Sequence, residues 1–122
     1  MNLIINGNNL TIEKLVKAAR CELLTLSFSL EALENMKKGR EFASIVAAKD
    51  QPVYGLSVGV GSRKTRKVPR EEMIRFNNRM IRDHVTAQGA CLPQDVTRAA
   101  TICLINSIAA GRTMIRPEIA LK

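Results

Sequence analysis

Tryptophan is absent from this 122-residue chain, tyrosine occurs once, and aromatic residues make up only 3% of it. A core must then be assembled from Leu, Ile, Val, Ala and Met, which suits packed helices better than a sheet sandwich. Histidine also occurs once, with no carboxylate or thiolate at ligand spacing from it, so no metal is expected. The cysteines Cys21, Cys91 and Cys103 are odd in number, lack ligand spacing and sit among apolar neighbours. They read as buried reduced thiols of a cytoplasmic protein. No apolar run approaches the roughly 18 residues that cross a bilayer, and no basic, apolar and small-residue order marks the N-terminus for export. A membrane is therefore not expected as a partner.

Charge is what the chain has in excess, with a formal net charge of +8. Such a surplus raises nucleic acid or anionic membrane as partners. The charges are spread, however, and only Arg63, Lys64, Arg66 and Lys67 form a run, which reads as a solvated connector more readily than as a binding patch. No aromatic residues interleave with the run to stack on bases, which argues against nucleic acid.

The pattern along the chain predicts a mainly α fold, a helical bundle segment with a short N-terminal β-hairpin, within one domain or fragment covering 1–122. Asn6-Gly7 between Leu3-Ile4-Ile5 and Leu10-Thr11 favours a tight hairpin turn, so residues 1–11 read as a β-ribbon. Residues 12–51 read as helices. Thr11 caps the first, whose Ile12, Leu15, Val16 and Ala19 share a face to about Arg20. Ser27 or Ser29 caps the second, which continues to about Ala48 with Gly39 as a weak point. Residues 52–68 form a loop rich in Gly around the one Tyr, and 69–122 return to helix. Pro69 opens a helix that places His84 on an apolar face with Met73, Asn77 and Met80, and Gly89 ends it. Pro93 opens another, apolar nearly all round from Val96 to Ile108 and closed by Gly111, and Arg116-Pro117-Glu118 begins one more.

The loop Pro52-Val53-Tyr54-Gly55-Leu56-Ser57-Val58-Gly59-Val60-Gly61 is the candidate site. Glycine is kept where φ is positive or another backbone comes close, so Gly55, Gly59 and Gly61 shape a loop for movement or close approach. An ordinary bulged strand through Val58 and Val60 is the plainer reading. Tyr54 is either a core tyrosine bonded through its hydroxyl or a proton-transfer group carried on a loop. A phenol, with an ordinary pKa of about 10, needs a positive or hydrogen-bond-donating environment to act as a base. His84 is either a satisfied core histidine or a substrate-positioning group. Gly59-Val60-Gly61 followed by Lys64 fits neither the P-loop nor the dinucleotide pattern.

Four separated motifs share an order and spacing: Val53 to Gly61, Asn78 to His84, Gly89-Ala90-Cys91-Leu92-Pro93, and Asn106-Ser107 to Gly111 with Ile115-Arg116-Pro117-Glu118. Together they resemble the aromatic amino acid lyase family of histidine and phenylalanine ammonia-lyases and related aminomutases, from about Thr11 onward. The resemblance implies that Tyr54 is the catalytic acid or base and that His84, with Gly55, belongs to substrate binding. Gly59 and Gly61 then shape the loop. It further implies a mostly helical homotetramer whose active sites draw on more than one subunit. Ser57-Val58 stands where the family has Asn-Thr, Ala87 where it has Gly, and Thr113-Met114 where it has Ser-Gly.

Family members also form an electrophilic methylidene-imidazolone group from an internal Ala-Ser-Gly, and this chain has none; its nearest string is Ala43-Ser44-Ile45. No cofactor is therefore expected in this chain, and the group is expected only from a missing region. The expectation is an N-terminal segment of an ammonia-lyase or aminomutase, from a truncated gene or a split enzyme, inactive alone. Its partners would be an aromatic amino acid and further copies or a complementary chain. The alternative is a non-catalytic interaction module whose basic surface binds a protein or nucleic acid.

Overall fold

The computed structural model describes residues 1–49 and 51–121. The backbone forms two compact units, Met1–Ala43 with Cys91–Lys122, and Ser44–Ala90.

In the first unit, Leu3 and Ile5 are buried while Asn2 and Ile4 are exposed, the period-two alternation of strand β1 (Asn2–Ile5). Its partner is β2 (Thr25–Phe28), parallel, with Leu3 opposite Leu26 and Ile5 opposite Phe28. The N-terminal sheet is thus two-stranded, as expected, but it is no hairpin. Parallel strands need a crossover, and helix α1 (Ile12–Ala19) supplies it between them. The β-ribbon expected within residues 1–11 accordingly has its second strand at 25–28, inside the stretch read as helices.

Asn6-Gly7 still turns the chain, in another direction. Asn6 Oδ1 accepts from the N–H groups of Asn8 and Asn9, both at 2.9 Å, and Gly7 N–H donates to Asn106 Oδ1 at 3.1 Å. Gly7 has φ +87°, and a Cβ there would come within 2.7 Å of the Ala110 backbone nitrogen. The turn is therefore pressed against the end of helix α4 (Gln94–Ala109), and Thr11 is left to cap α1, its Oγ1 accepting from Lys14 N–H at 3.3 Å.

Ser29, not Ser27, begins helix α2 (Leu30–Ala48): its hydroxyl accepts from Ala32 N–H at 3.1 Å, whereas Ser27 lies in β2. Gly39, a weak point by propensity, lies where a Cβ would strike the carbonyl of Gly111. Leu3, Ile5, Ala18, Ala32, Ile102 and Ala109 form the core of this unit, with Leu15, Leu26, Phe28 and Ile105 packed around it. Ile5 and Ile102 are among the largest fully buried side chains, each worth about 1.5–3 kcal/mol relative to exposure. Helix α4 packs on α1 and β1, and Arg98 Nη1 ties it to the Cys21 carbonyl at 3.0 Å.

One expectation for this region changes, the burial of the cysteines. The cysteines are free thiols, but Cys91 and Cys103 are exposed and Cys21 is half-buried. The apolar surround of α4 is covered on one side only, with Ile102, Ile108 and Ala109 buried while Leu104 is 61% exposed. Met114 adopts φ +56°, the left-handed region, at a position where the resembled family has Gly. Helix α5 (Pro117–Ala120) follows with Pro at its start.

In the second unit, short 3₁₀ turns at Gly61–Arg63 and Arg70–Glu72 lead into helix α3 (Met73–Asp83). Helix α3 ends at His84, well before the expected stop at Gly89. None of its residues is buried.

Candidate functional site

The loop of residues 52–61 is knotted by its own backbone rather than loose. The Val53 carbonyl accepts from the N–H groups of Leu56, Ser57 and Val58 at 3.0, 3.0 and 3.2 Å, and Gly55 N–H donates to the Val58 carbonyl at 3.1 Å. Two further bonds stitch the loop to the basic run: Gly59 N–H to the Arg66 carbonyl at 2.9 Å, and Val68 N–H to the Ser57 carbonyl at 2.9 Å. Ser57, Val58 and Gly59 are buried, so the loop has a small interior of its own.

Ser57 is the residue whose part the sequence did not reveal. Its Oγ accepts from Val53 N–H at 2.8 Å and donates to the Gln51 carbonyl, closing the base of the loop. The only signal for it was a polar residue between Leu56 and Val58, and a hydroxyl in a turn is common enough to pass unremarked.

The three loop glycines act differently. Gly55 and Gly61 take positive φ, +72° and +57°, and Gly61 has open space around it. At Gly59 the need is for space: a Cβ would come within 2.6 Å of the Arg63 carbonyl oxygen. Bulged-strand geometry is limited to isolated bridges, Tyr54 with Val58 and Val58 with Lys67.

Tyr54 stands out of this interior, 64% exposed, so it is not a core tyrosine. Its Oη accepts the Gly61 N–H at 3.1 Å. With one lone pair so occupied, the phenol proton is left to point elsewhere, toward anything bound beside it.

His84 is the C-cap of α3 and exposed, which removes it from the apolar face expected of it. Its Nδ1 lies 2.7 Å from the Met80 carbonyl. A carbonyl only accepts, so Nδ1 is the donor of this contact and Nε2 takes no part in it. Tyr54 and His84 belong to the same unit, each bonded to its own segment, the phenol to the loop and the imidazole to the helix. No group of three or more His, Cys, Asp or Glu able to hold a metal occurs among the described residues. No described helix is long and apolar enough to cross a membrane.

The class that these features define is a mainly helical scaffold presenting one phenol from a self-bonded, glycine-rich loop. The family model "aromatic amino acid lyase" matches residues 10–122, and the chain belongs to that family. The histidine ammonia-lyase of Streptomyces coelicolor is 29% identical over 118 residues, 97% of this chain and 23% of the relative. The MIO-dependent tyrosine 2,3-aminomutase of Streptomyces globisporus is 26% identical over 115 residues, 94% of this chain and 21% of the relative. The crystal structure of the ergothioneine-degrading enzyme ergothionase from Treponema denticola matches with a TM-score of 0.92 and 27% identity, over 99% of this chain and 24% of that one. The chain thus spans less than a quarter of the length of these relatives.

The methylidene-imidazolone group does not fit the residues present. Ala43-Ser44-Ile45 lies inside α2 with Ala43 buried. Its Ile45 carries a branched side chain at the position where the precursor has Gly, and a helical backbone is held away from the tight ring such a tripeptide must close.

Proposed function

We propose that this chain is the tyrosine-bearing segment of an aromatic amino acid ammonia-lyase or aminomutase, a carbon–nitrogen lyase in which Tyr54 transfers a proton and His84 helps to position an aromatic amino acid. The observation that carries the reading is the exposed Tyr54 hydroxyl, held by the Gly61 N–H on a loop whose interior is closed by Ser57. Gly55 beside it bears no side chain to obstruct a substrate, and the Nε2 of His84, not used in the bond to Met80, is left to meet a polar group of the substrate. The names of the relatives, an ammonia-lyase and an aminomutase, support the reaction class.

Because Ala-Ser-Gly is absent, the electrophile comes from outside this chain, and the isolated chain is inactive. The complete site then assembles with a complementary chain or in an oligomer, in a cytoplasmic setting suited to three unpaired thiols. A second reading, a non-catalytic interaction module, is favoured by the same missing tripeptide.

The test is absorbance monitoring of cinnamate- or urocanate-type product from aromatic amino acids, with this chain alone and with a longer chain bearing Ala-Ser-Gly. Turnover is expected only in the mixture. Tyr54→Phe should lower it by about 10² to 10⁴, the worth of a positioned proton-transfer group. Folding should stay nearly intact, since the net contribution of one hydrogen bond is about 1 kcal/mol. Turnover by the chain alone would defeat the view that it is incomplete. A lowered melting temperature with unchanged turnover would make Tyr54 structural, and no turnover in any mixture would leave the interaction-module reading.

A further inference from the structure

Cations that the sequence distributes over two segments line one concavity. A cavity of about 660 Å³ lies within the Ser44–Ala90 unit, lined from the loop side by Arg63, Arg66 and Lys67 and from one face of α3 by Arg75 and Arg79, four residues apart. Two carboxylates stand among these five cations, Glu72 and Asp83, which leaves a formal charge of +3 (five minus two). Asp83 is engaged by Arg79 Nε at 3.3 Å. Among the described residues, no carboxylate lies within ion-pair distance of Arg63, Arg66 or Arg75. The backbone that carries the run is anchored. Arg63 N–H donates to the Val60 carbonyl at 3.0 Å, Arg66 N–H to the Arg63 carbonyl at 2.9 Å, and the Arg66 carbonyl accepts from Gly59 N–H at 2.9 Å. A Cβ at Gly59 would come within 2.7 Å of Arg63 Cβ, so close packing against the glycine sets where the Arg63 side chain leaves the turn. The basic run is therefore more than the solvated connector its sequence suggests.

We propose that this cavity is a binding site for a small oligophosphate, either a free polyphosphate or the phosphate chain of a nucleotide. Three guanidiniums without carboxylate partners repel one another across a shared concavity. A ligand with several negative charges on one short chain relieves all three, whereas a single carboxylate neutralises one. Four of the five cations are arginines, whose planar fork of donors matches phosphate oxygens two at a time. The volume falls within the roughly 300–1,000 Å³ of small-molecule sites, and the half-buried Phe76 and Met80 in the lining give an apolar body attached to the phosphates a surface to rest on. A nucleic-acid strand is disfavoured. Strand binding uses successive aromatic platforms, and Phe76 is the one aromatic side chain in the described lining. Neither Tyr54 nor His84 lines the cavity, so the inference stands whether or not Tyr54 is catalytic.

The full chain is dialysed to equilibrium against inorganic tripolyphosphate, and separately against inorganic phosphate, a nucleoside triphosphate and a short single-stranded oligonucleotide. Saturable binding of one tripolyphosphate per chain is expected, weakening as salt rises from about 0.05 to 0.3 M, with inorganic phosphate weaker by about tenfold or more. Arg63→Glu on the loop and Arg75→Glu on α3 should each weaken tripolyphosphate binding by about tenfold or more. Lys17→Glu, which makes the same charge change on α1 in the other unit, should leave it unaltered; circular dichroism verifies that each variant folds. A nucleoside triphosphate that binds more tightly than tripolyphosphate names a nucleotide as the source, and equal or weaker binding names a free oligophosphate; both bear out the phosphate chain as the recognised group. The proposal is overturned by no saturable binding, by an unaltered affinity in either arginine variant, by an equal loss in Lys17→Glu, or by inorganic phosphate binding as tightly as tripolyphosphate. Tighter binding of the oligonucleotide than of tripolyphosphate would overturn it in favour of a nucleic-acid surface.

Discussion

Met114 is the one non-glycine residue described with positive φ, at +56°. A side chain there costs roughly 1–2 kcal/mol through the clash of Cβ with the following carbonyl. The position is half-buried, so removing the side chain also removes packing, and the informative comparison is between two truncations. Met114→Gly and Met114→Ala lose similar contacts, but only Gly relieves the backbone. Part of that relief is offset by the roughly 0.4–1 kcal/mol of extra unfolded-chain entropy that Gly brings. Urea denaturation should find the Gly variant more stable than the Ala variant by about 0.5–1 kcal/mol; equal stabilities would show that the loop relaxes its φ at no cost. Tyr54 and Gly55 were legible in the sequence at this scale because a glycine-flanked tyrosine is a local pattern. The anchoring of Ser57, and the Nδ1 bond of His84 to the Met80 carbonyl, were not, since each depends on where a helix or turn stops.

At the scale of elements, start signals were read more faithfully than pairings. Thr11, Pro93 and Pro117 stand at helix starts because caps and fixed φ act within one turn. The hairpin was misread because Asn6-Gly7 specifies a turn and not the partner of β1, which is chosen by burial of Leu3 and Ile5 against residues more than twenty positions away. The start of α1 also carries a carboxyl whose titration is displaced by its hydrogen bonds. The Glu13 carboxyl is held below its ordinary range, first by a bond from its own backbone N–H and then by the Thr11 hydroxyl. Its folded value is depressed, so the stabilisation is present above the unfolded value, about 4.3, and is lost as pH falls through the folded value. Glu13→Gln should therefore melt below the parent at neutral pH, and the gap should close as the medium is acidified below about pH 4. A gap that stays constant from neutral pH to acid would assign the effect to hydrogen bonding without charge.

For the whole molecule the question is what covers the apolar surface that 122 residues leave bare. In the Met1–Ala43 and Cys91–Lys122 unit, α4 is sheltered along Ile102 and Ile108, yet Val96 and Leu104 are 47% and 61% exposed, and on α1 Ile12 is 76% exposed. The sequence revealed this imbalance as a helix apolar nearly all round, but it did not reveal which side would stay open. That choice belongs to the elements that pack on α4, α1 and β1 with Ala32 of α2 in the shared core. Fully burying a Leu or Val side chain is worth about 1.5–3 kcal/mol, so a few such residues in a self-complementary patch can offset part of the loss of translational and rotational freedom on association. Self-association through this unit is thus expected. Sedimentation equilibrium at increasing concentration should show mass above the monomer. Leu104→Glu, at a largely exposed position, should return it toward the monomer while the circular dichroism spectrum is unchanged. A strictly monomeric parent at high concentration would leave the bare face of α4 to a different chain, and an oligomer indifferent to Leu104→Glu would move the contact away from α4.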